Sequence, residues 1–215
     1  QMRCRSCNSD SLELILDLGE QPWCNDFLSE DRVGKENLYP LRLNQCTDCE
    51  LLQLDHTVPK ETMFGDHCYL SGMTQTLKDH FYDVADENVK QFEIQPSDLV
   101  VDIGGNDGSQ LHQYQKCGIE NVLNVECAQR VSEISRKNGV KTITEYFNKE
   151  CVQNHIGEKT VKLFNASGVF FHLEELHSVI DGIKLALRDD GVLIVQFMYA
   201  GTMVEKLNFD TIYHE

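Results

Sequence analysis

The stretch VVDIGGNDGSQL at residues 100–111 constrains the fold of this chain more than any other. The apolar run at residues 99–101 is typical of a buried parallel strand, and it breaks at Asp102 into a glycine-rich turn. Glycines let the backbone approach a ligand closely, and the helix that follows would present free N–H groups and its positive dipole end. The stretch therefore predicts a strand–turn–helix unit that holds a nucleotide-like ligand. The predicted contact residues are Asp102, Gly104, Gly105, Asn106, Asp107 and Gly108.

The spacing of the glycines distinguishes two kinds of turn. A dinucleotide fingerprint requires Gly-x-Gly-x-x-Gly, but Ile103 stands where the first glycine would be. The chain reads acidic-x-Gly-x-x-x-Gly instead, which resembles the first motif of S-adenosylmethionine-dependent methyltransferases, where the acid lies near the methionine part of the cofactor. The alternative is a strand–turn–helix connection that binds nothing.

A second predicted strand, residues 121–125, ends at Glu126. In nucleotide-binding α/β units an acid at the tip of the second strand, roughly 20 residues after the glycine turn, accepts hydrogen bonds from the ribose hydroxyls. Glu126 is placed for that contact. The alternative is a solvated acid in a chain that is rich in acids.

Strands and helices alternate through the rest of the chain. Helices are predicted at residues 74–92, 109–117 and 128–138. A fourth helix is predicted to carry four apolar residues on one face: Leu176, Ile180, Ile183 and Leu187. Further strands are predicted at residues 140–143, 161–165 and, after a turn at 189–191, 192–197. This alternation predicts an α/β fold with a doubly wound, mostly parallel sheet in the order 3-2-1-4-5.

Two cysteine pairs frame the N-terminal segment: Cys4-x-x-Cys7 and Cys46-x-x-Cys49. Two such knuckles let four thiolates converge on one zinc ion, and a redox role for one pair is the alternative. We therefore divide the chain into a zinc-binding module at 1–65, a linking segment at 66–95 and a cofactor-binding domain at 96–215. A module of this size has little core, so the metal would contribute much of its folding free energy.

Composition excludes several classes of function. The chain has 35 acidic against 19 basic residues in 215, and a formal charge of −16 argues against a nucleic-acid surface. No apolar run approaches the roughly 20 residues of a membrane span, and the first residues do not resemble a signal peptide. Five of the nine cysteines lie outside the two pairs, which does not resemble a disulfide framework. We expect a soluble protein of the reducing cytoplasm.

Two further positions have side chains suited to proton transfer. His172 follows the fourth strand and is expected at the start of a helix, which favours a neutral imidazole. A capping or packed role for His172 is the alternative. Tyr213, His214 and Glu215 place a phenol, an imidazole and a carboxylate within three residues, although a polar surface turn would look similar.

Taken together, these motifs resemble the sugar C-methyltransferases that act on nucleotide-linked 4-keto-deoxysugars. The resemblance is carried by the four paired cysteines, Gln21-Pro…Asn25-Asp-Phe-Leu28, Leu51–Leu54, Tyr69-Leu-Ser-Gly72, Asp102–Gly108 and the signature Phe-Asp-x-Ile-Tyr-His-Glu at Phe209–Glu215. The chain departs from the pattern at Gly105, where serine is more usual, and at Gly168, where asparagine is common. The resemblance implies a Rossmann-like class I methyltransferase fold with an N-terminal zinc module.

The resemblance also implies a reaction. The ketone acidifies the neighbouring C–H, a base removes that proton, and the enolate takes the methyl group of S-adenosylmethionine. Tyr69, His172 and Tyr213 would orient or polarise the ketone, and the region of Glu215 would supply or support the base. The alternatives are a non-catalytic, zinc-bearing interaction protein and an O- or N-methyltransferase of another small molecule.

The family pattern continues beyond the last residue of this sequence. In the family a second histidine, two further strands and a sugar-binding domain follow the glutamate that corresponds to Glu215. We therefore expect a longer polypeptide or a truncated relative, with a further C-terminal domain or a partner chain. A sheet that ended with the strand 192–197 would present an apolar edge to that partner.

Overall fold

The computed structural model describes four ranges of residues: 2–24, 27–64, 70–173 and 175–214. The chain forms two compact units, Gln1–Met63 together with Met198–Glu215, and Phe64–Phe197. Residues 198–215 thus group with the N-terminal unit, whereas the sequence division assigned them to the cofactor-binding domain.

The N-terminal unit is built on an antiparallel sheet. Its elements are β1 (Leu12–Pro22), β2 (Leu38–Cys46), β3 (Leu52–Leu54) and the short helix α1 (Lys60–Phe64). The strands follow one another in the order β1-β2-β3. Leu41 and Cys46 on the middle strand are buried, but Leu14 and Ile15 on β1 are exposed. This small core fits the expectation that a metal contributes to folding.

Helix α2 (Gln75–Gln91) begins the second unit and confirms the helix predicted at residues 74–92. Thr74 is its N-cap, and the hydroxyl oxygen of Thr74 accepts a hydrogen bond from the Leu77 amide at 3.4 Å. Phe81, Ala85 and Asn88 form its buried face.

The rest of this unit alternates strands and helices. The elements are β4 (Leu99–Ile103), α3 (Ser109–Lys116), β5 (Val122–Val125), α4 (Gln129–Lys137), β6 (Thr142–Ile143), α5 (Lys149–Cys151), β7 (Val161–Ser167), α6 (Leu176–Ala186) and β8 (Leu187–Gln196). All pairings in the sheet are parallel, and the order is β6-β5-β4-β7-β8. The predicted doubly wound sheet and its order 3-2-1-4-5 are confirmed.

Helices cover both faces of this sheet, which explains why β4 and β7 are buried along almost their whole length. On one face Ala85 of α2, together with Leu111 and Tyr114 of α3, packs against Val100 and Leu163. On the other face the cluster joins residues of α6 to residues of β4 and β7: Val179, Ile183, Val101 and Phe164. Two packed layers fix β4 in the centre, so the loop after it opens at the middle of the sheet's carboxyl edge.

Strand β8 starts earlier than the sequence predicted. Leu187 already pairs with Val161, and the next pair is Leu163 with Val192. Residues 188–191, which include the predicted turn, therefore bulge out opposite Lys162. The Lys162 ammonium contacts the Asp190 carboxylate at 3.0 Å, which holds this bulge against the strand.

The described chain closes with α7 (Ala200–Glu205) and a 3₁₀ turn at Phe209–Thr211. Among the described residues β8 pairs only with β7, so it forms an edge of the sheet. Within the described ranges, no helix combines the length and apolar character that crossing a bilayer requires.

Candidate functional site

The glycine turn lies at the carboxyl end of β4, which is the edge where open α/β sheets bind their ligands. Gly104, Asn106 and Gly108 have left-handed backbones, with φ of +64°, +52° and +79°. Such conformations favour glycine, and asparagine tolerates them better than most residues. The predicted loop therefore forms at the predicted place.

The glycines of the loop are also crowded by side chains of this chain. A Cβ on Gly105 would lie 2.5 Å from Asn124 Oδ1 and 2.8 Å from Asp102 Oδ2, and one on Gly108 would lie 2.6 Å from Ser135 Oγ. These glycines are needed for internal packing, whether or not a ligand approaches them. Glycine content alone consequently does not decide between a binding loop and a plain connection.

Asp102 is the buried acid at the base of the loop. Its side chain is 2% exposed, and Oδ1 accepts a hydrogen bond from Asn165 Nδ2 at 2.9 Å. Burial raises the pKa of Asp102 to about 7, the Glu126 charge adds to this rise, and the Asn165 donor opposes it. A carboxyl group that titrates near neutrality therefore lies directly beneath the loop.

Glu126 stands at the tip of β5, as predicted, but it is 7% exposed and not a solvated acid. Its Oε2 accepts a hydrogen bond from the Asn106 amide at 3.0 Å, and Oε1 accepts one from the Ala128 amide at 2.9 Å. The Cys127 thiol is a second, weak donor to Oε1 at 3.6 Å. Each carboxylate oxygen can accept about two hydrogen bonds, so Oε2 keeps one open acceptor position, whereas Oε1 already has two donors. The loop and the acid thus form one connected structure.

The turn Leu70–Met73 docks on this loop. The Ser71 amide donates a hydrogen bond to Asn106 Oδ1 at 2.9 Å, and the Gly72 amide donates one to Asp107 Oδ2 at 2.8 Å. Asn106 and Asp107 were predicted to contact the cofactor, but in the structure these oxygens hold protein backbone.

A depression opens beside the loop, and its walls combine polar and apolar groups. Its lining residues are Ser71, Phe81, Asp102, Gly104, Gly105, Gln110 and Ser167. They come from the turn Leu70–Met73, from α2, β4, α3 and β7, and from the loop after β4, so residues far apart in sequence converge on it. This is the candidate ligand site of the Phe64–Phe197 unit.

Two asparagines support the site and were missed in the sequence. Asn165 on β7 binds Asp102, while Asn124 on β5 donates hydrogen bonds to the Asn106 carbonyl at 2.9 Å and to Ser135 Oγ at 3.0 Å. Both are completely buried. The available signal was an amide side chain inside an apolar strand, because a buried polar group needs a partner.

Of the four predicted catalytic residues, the structure describes His172 and Tyr213. Tyr69 and Glu215 lie outside the described residues. His172 ends a 3₁₀ turn, Phe170–His172, and α6 starts only at Leu176, so the prediction that His172 begins a helix is wrong. The chain turns back after β7 before the helix can start. The His172 ring packs edge-on against Phe171, with centroids 4.2 Å apart.

Tyr213 belongs to the unit that contains the N-terminal sheet. Its neighbour His214 is 4% exposed, and His214 Nε2 donates a hydrogen bond to the Pro40 carbonyl at 3.1 Å. The His214 ring also meets Tyr39 edge-on, and Tyr39 stacks on His56. His214 therefore anchors the chain end to β2 and is not a polar surface residue.

The four cysteines predicted to bind zinc do converge. Their Sγ atoms all lie within 4.8 Å of one another, with Cys4 and Cys49 at 3.5 Å and Cys7 and Cys46 at 3.6 Å. Zinc–sulfur bonds of about 2.3 Å in a tetrahedron give sulfur–sulfur distances of about 3.8 Å. The geometry fits one zinc ion with four thiolate ligands.

The two knuckles are built alike. In each, the residue after the second cysteine has a left-handed backbone, Asn8 at φ +63° and Glu50 at φ +64°. The amide of that residue donates to the carbonyl of the first cysteine, Asn8 to Cys4 at 3.0 Å and Glu50 to Cys46 at 2.9 Å. Repeated turns of this kind orient four thiols toward one point, which favours metal binding over a redox pair.

A family model described as "Putative zinc binding domain" matches residues 4–64. The chain is 28% identical over 219 residues to the C-methyltransferase NovU of Streptomyces niveus, an alignment that covers 99% of the chain. It spans about half of that relative's length, 51%.

A solved structure resembles the α/β part of the chain. It is a "putative s-adenosyl-l-methionine-dependent methyltransferase" from Methanococcus maripaludis, with a TM-score of 0.50 and 16% sequence identity. The superposition covers 65% of this chain and 69% of that one. At this identity the likeness concerns the fold: the chain combines a methyltransferase-type α/β fold with a small N-terminal cysteine cluster.

Proposed function

We propose that this chain is the cofactor-binding and zinc-binding part of an S-adenosylmethionine-dependent C-methyltransferase. The proposal is carried by one observation, the glycine loop at the carboxyl end of β4 joined to the buried acid Glu126 at the tip of β5. The near full-length similarity to a C-methyltransferase supports the same reaction class.

The residues present fit the cofactor. Glu126 Oε2 keeps an acceptor position for one ribose hydroxyl, and a second hydroxyl would replace the weak Cys127 thiol donor on Oε1. The depression beside Gly104 and Gly105 offers both apolar and polar walls. When bound, S-adenosylmethionine would supply an electrophilic methyl group. Phe81 would supply apolar surface beside the bound cofactor, and Ser71 and Ser167 would supply hydroxyls for its polar groups.

The substrate in this proposal is a nucleotide-linked 4-keto-deoxysugar. A ketone makes the adjacent C–H acidic enough for a protein base, and polar side chains must hold the ketone oxygen while that proton leaves. By resemblance we assign that holding role to Tyr69, His172 and Tyr213, and the base to the region of Glu215. The remaining half of the relative's length is the natural source of further sugar contacts, on a C-terminal domain or a partner chain.

Binding and transfer can be tested separately. Titration calorimetry of the chain with S-adenosylhomocysteine tests the site, and methyl transfer to a nucleotide-linked 4-keto-deoxysugar by the full reading frame tests the reaction. Binding of S-adenosylhomocysteine without methyl transfer to any 4-keto sugar would favour the non-catalytic alternative. Transfer to an oxygen or nitrogen acceptor would favour the other methyltransferase alternative. No binding at all would contradict the proposal.

We also propose one structural zinc ion on Cys4, Cys7, Cys46 and Cys49, in a protein of the cytoplasm. A reducing compartment keeps four thiolates available to a metal, which supports this assignment. Metal analysis of the purified protein tests the assignment, and a metal-free preparation with an unchanged thermal transition would contradict it.

A further inference from the structure

The turn Leu70–Met73 is held on the cofactor loop by two adjacent contacts. The Ser71 amide binds Asn106 Oδ1 at 2.9 Å, and the Gly72 amide binds Asp107 Oδ2 at 2.8 Å. Two consecutive donors that meet two consecutive side chains fix both the position and the direction of the turn. Hydrogen bonds to a carboxylate are also stronger than those between neutral groups.

Gly72 makes this contact close. A Cβ at this position would lie 2.5 Å from Ser109 Oγ and 2.7 Å from Asp107 Oδ2. With any other residue here, either the side chains of Ser109 and Asp107 must shift, which breaks the Gly72–Asp107 contact, or the turn must move away from the loop. Asp107 is itself held, because its Oδ1 accepts a hydrogen bond from the Ser109 amide at 3.1 Å.

Asn106 also connects the turn to the ribose acid. Its amide donates to Glu126 Oε2 at 3.0 Å, while its side-chain oxygen accepts from Ser71. Ser71 in turn lines the depression together with Gly104 and Gly105. A ligand that binds Glu126 and also fills this depression would contact both Glu126 and Ser71, the two residues that Asn106 connects.

We propose that Asn106 and Asp107 are positioning residues whose side chains hold the turn Leu70–Met73, so that docking of the turn and occupation of the loop are coupled. The identity of the ligand rests on the proposed function. Because coupling is reciprocal, a ligand that strengthens docking is itself bound more weakly when docking is impaired.

Hydrogen exchange of the Ser71 and Gly72 amides measures docking directly. In the ligand-free chain we expect Asp107→Ala and Gly72→Ala to speed exchange of these two amides about tenfold, while Met73→Ala, on the exposed side of the same turn, leaves them unchanged. Far-UV circular dichroism verifies that each variant is folded. Equal exchange in the wild type and in both variants would overturn the docking role of Asp107.

The coupling is tested with S-adenosylhomocysteine. We expect it to slow exchange at Ser71 and Gly72 in the wild type, and Gly72→Ala to weaken its binding by at most the same factor, with Met73→Ala as the control. Binding that leaves both exchange rates unchanged would overturn the coupling. Absence of any binding would contradict the proposed function instead, and the ligand-free rates would still decide whether the loop holds the turn.

Discussion

Replacement of Asp102 by asparagine should change how stability depends on pH. Burial raises the pKa of Asp102 from 3.8 to about 7, so the folded chain holds a proton that the unfolded chain releases. The contribution of Asp102 to the free energy of unfolding is therefore greatest below pH 4 and is lost as the pH rises to about 7. Asp102→Asn keeps an acceptor for Asn165 Nδ2 but cannot ionise.

The size of the expected change in stability follows from the pKa shift of Asp102. At 1.36 kcal/mol per pKa unit, the rise to about 7 corresponds to about 4 kcal/mol across the whole titration, and to on the order of 3 kcal/mol between pH 5 and pH 8. The carboxyl is fully buried, so solvent screening does not reduce this figure much.

Urea unfolding at several pH values between 5 and 8.5 measures this effect, because the longer helices all belong to the Phe64–Phe197 unit and dominate the signal at 222 nm. We expect the free energy of unfolding of Asp102→Asn to fall less with pH than that of the wild type, so that the variant is the more stable protein at pH 8. Asp181→Asn, at an exposed position of α6, is the matched control and should follow the wild type. Parallel curves for the wild type and Asp102→Asn would refute the reasoning.

Three further outcomes are expected. Glu126→Ala should weaken S-adenosylhomocysteine binding by on the order of 2–4 kcal/mol in calorimetry, because two charge-assisted hydrogen bonds are lost, and unchanged affinity would mean that the ribose lies elsewhere. Cys46→Ala should lose the zinc ion in metal analysis whereas Cys24→Ala, outside the cluster, should keep it; equal metal content in both would contradict the ligand set. Gly105→Ser should lower the free energy of unfolding by about 1–3 kcal/mol, because its Cβ would meet Asn124 Oδ1, and unchanged stability would show that the loop relaxes freely.

Much of the α/β unit could be predicted because its signals are local. Apolar runs, helical spacing and the glycine turn each act within a few residues, and they were sufficient for the strand order around β4. The boundary of β8 was predicted less well, since Leu187 joins the strand only through its pairing with Val161. The helix start after His172 was also wrong, because a turn followed by a helix has the same composition as a longer helix.

The contacts that complete the site could not be read from local patterns. Asn165 lies 63 positions from Asp102, and the partners Ser71 and Asn106 are 35 positions apart. Likewise, nothing near the chain end indicates that His214 packs against Pro40, 174 positions earlier. Sequence patterns alone therefore suggested that Asn106 and Asp107 faced a ligand, whereas the fold gives their side-chain oxygens to a neighbouring turn.

The sequence by itself determined which residues form the zinc cluster, which strand lies at the centre of the sheet and which turn opens at its edge. Cysteine spacing and strand periodicity are properties of short segments, so they can be recognised without knowledge of the fold. The tertiary structure decided the pKa of Asp102, the hydrogen-bond partners of Glu126 and the docking of Leu70–Met73. Burial and hydrogen bonding arise only when distant segments meet, because each depends on the atoms that exclude or replace water around a group.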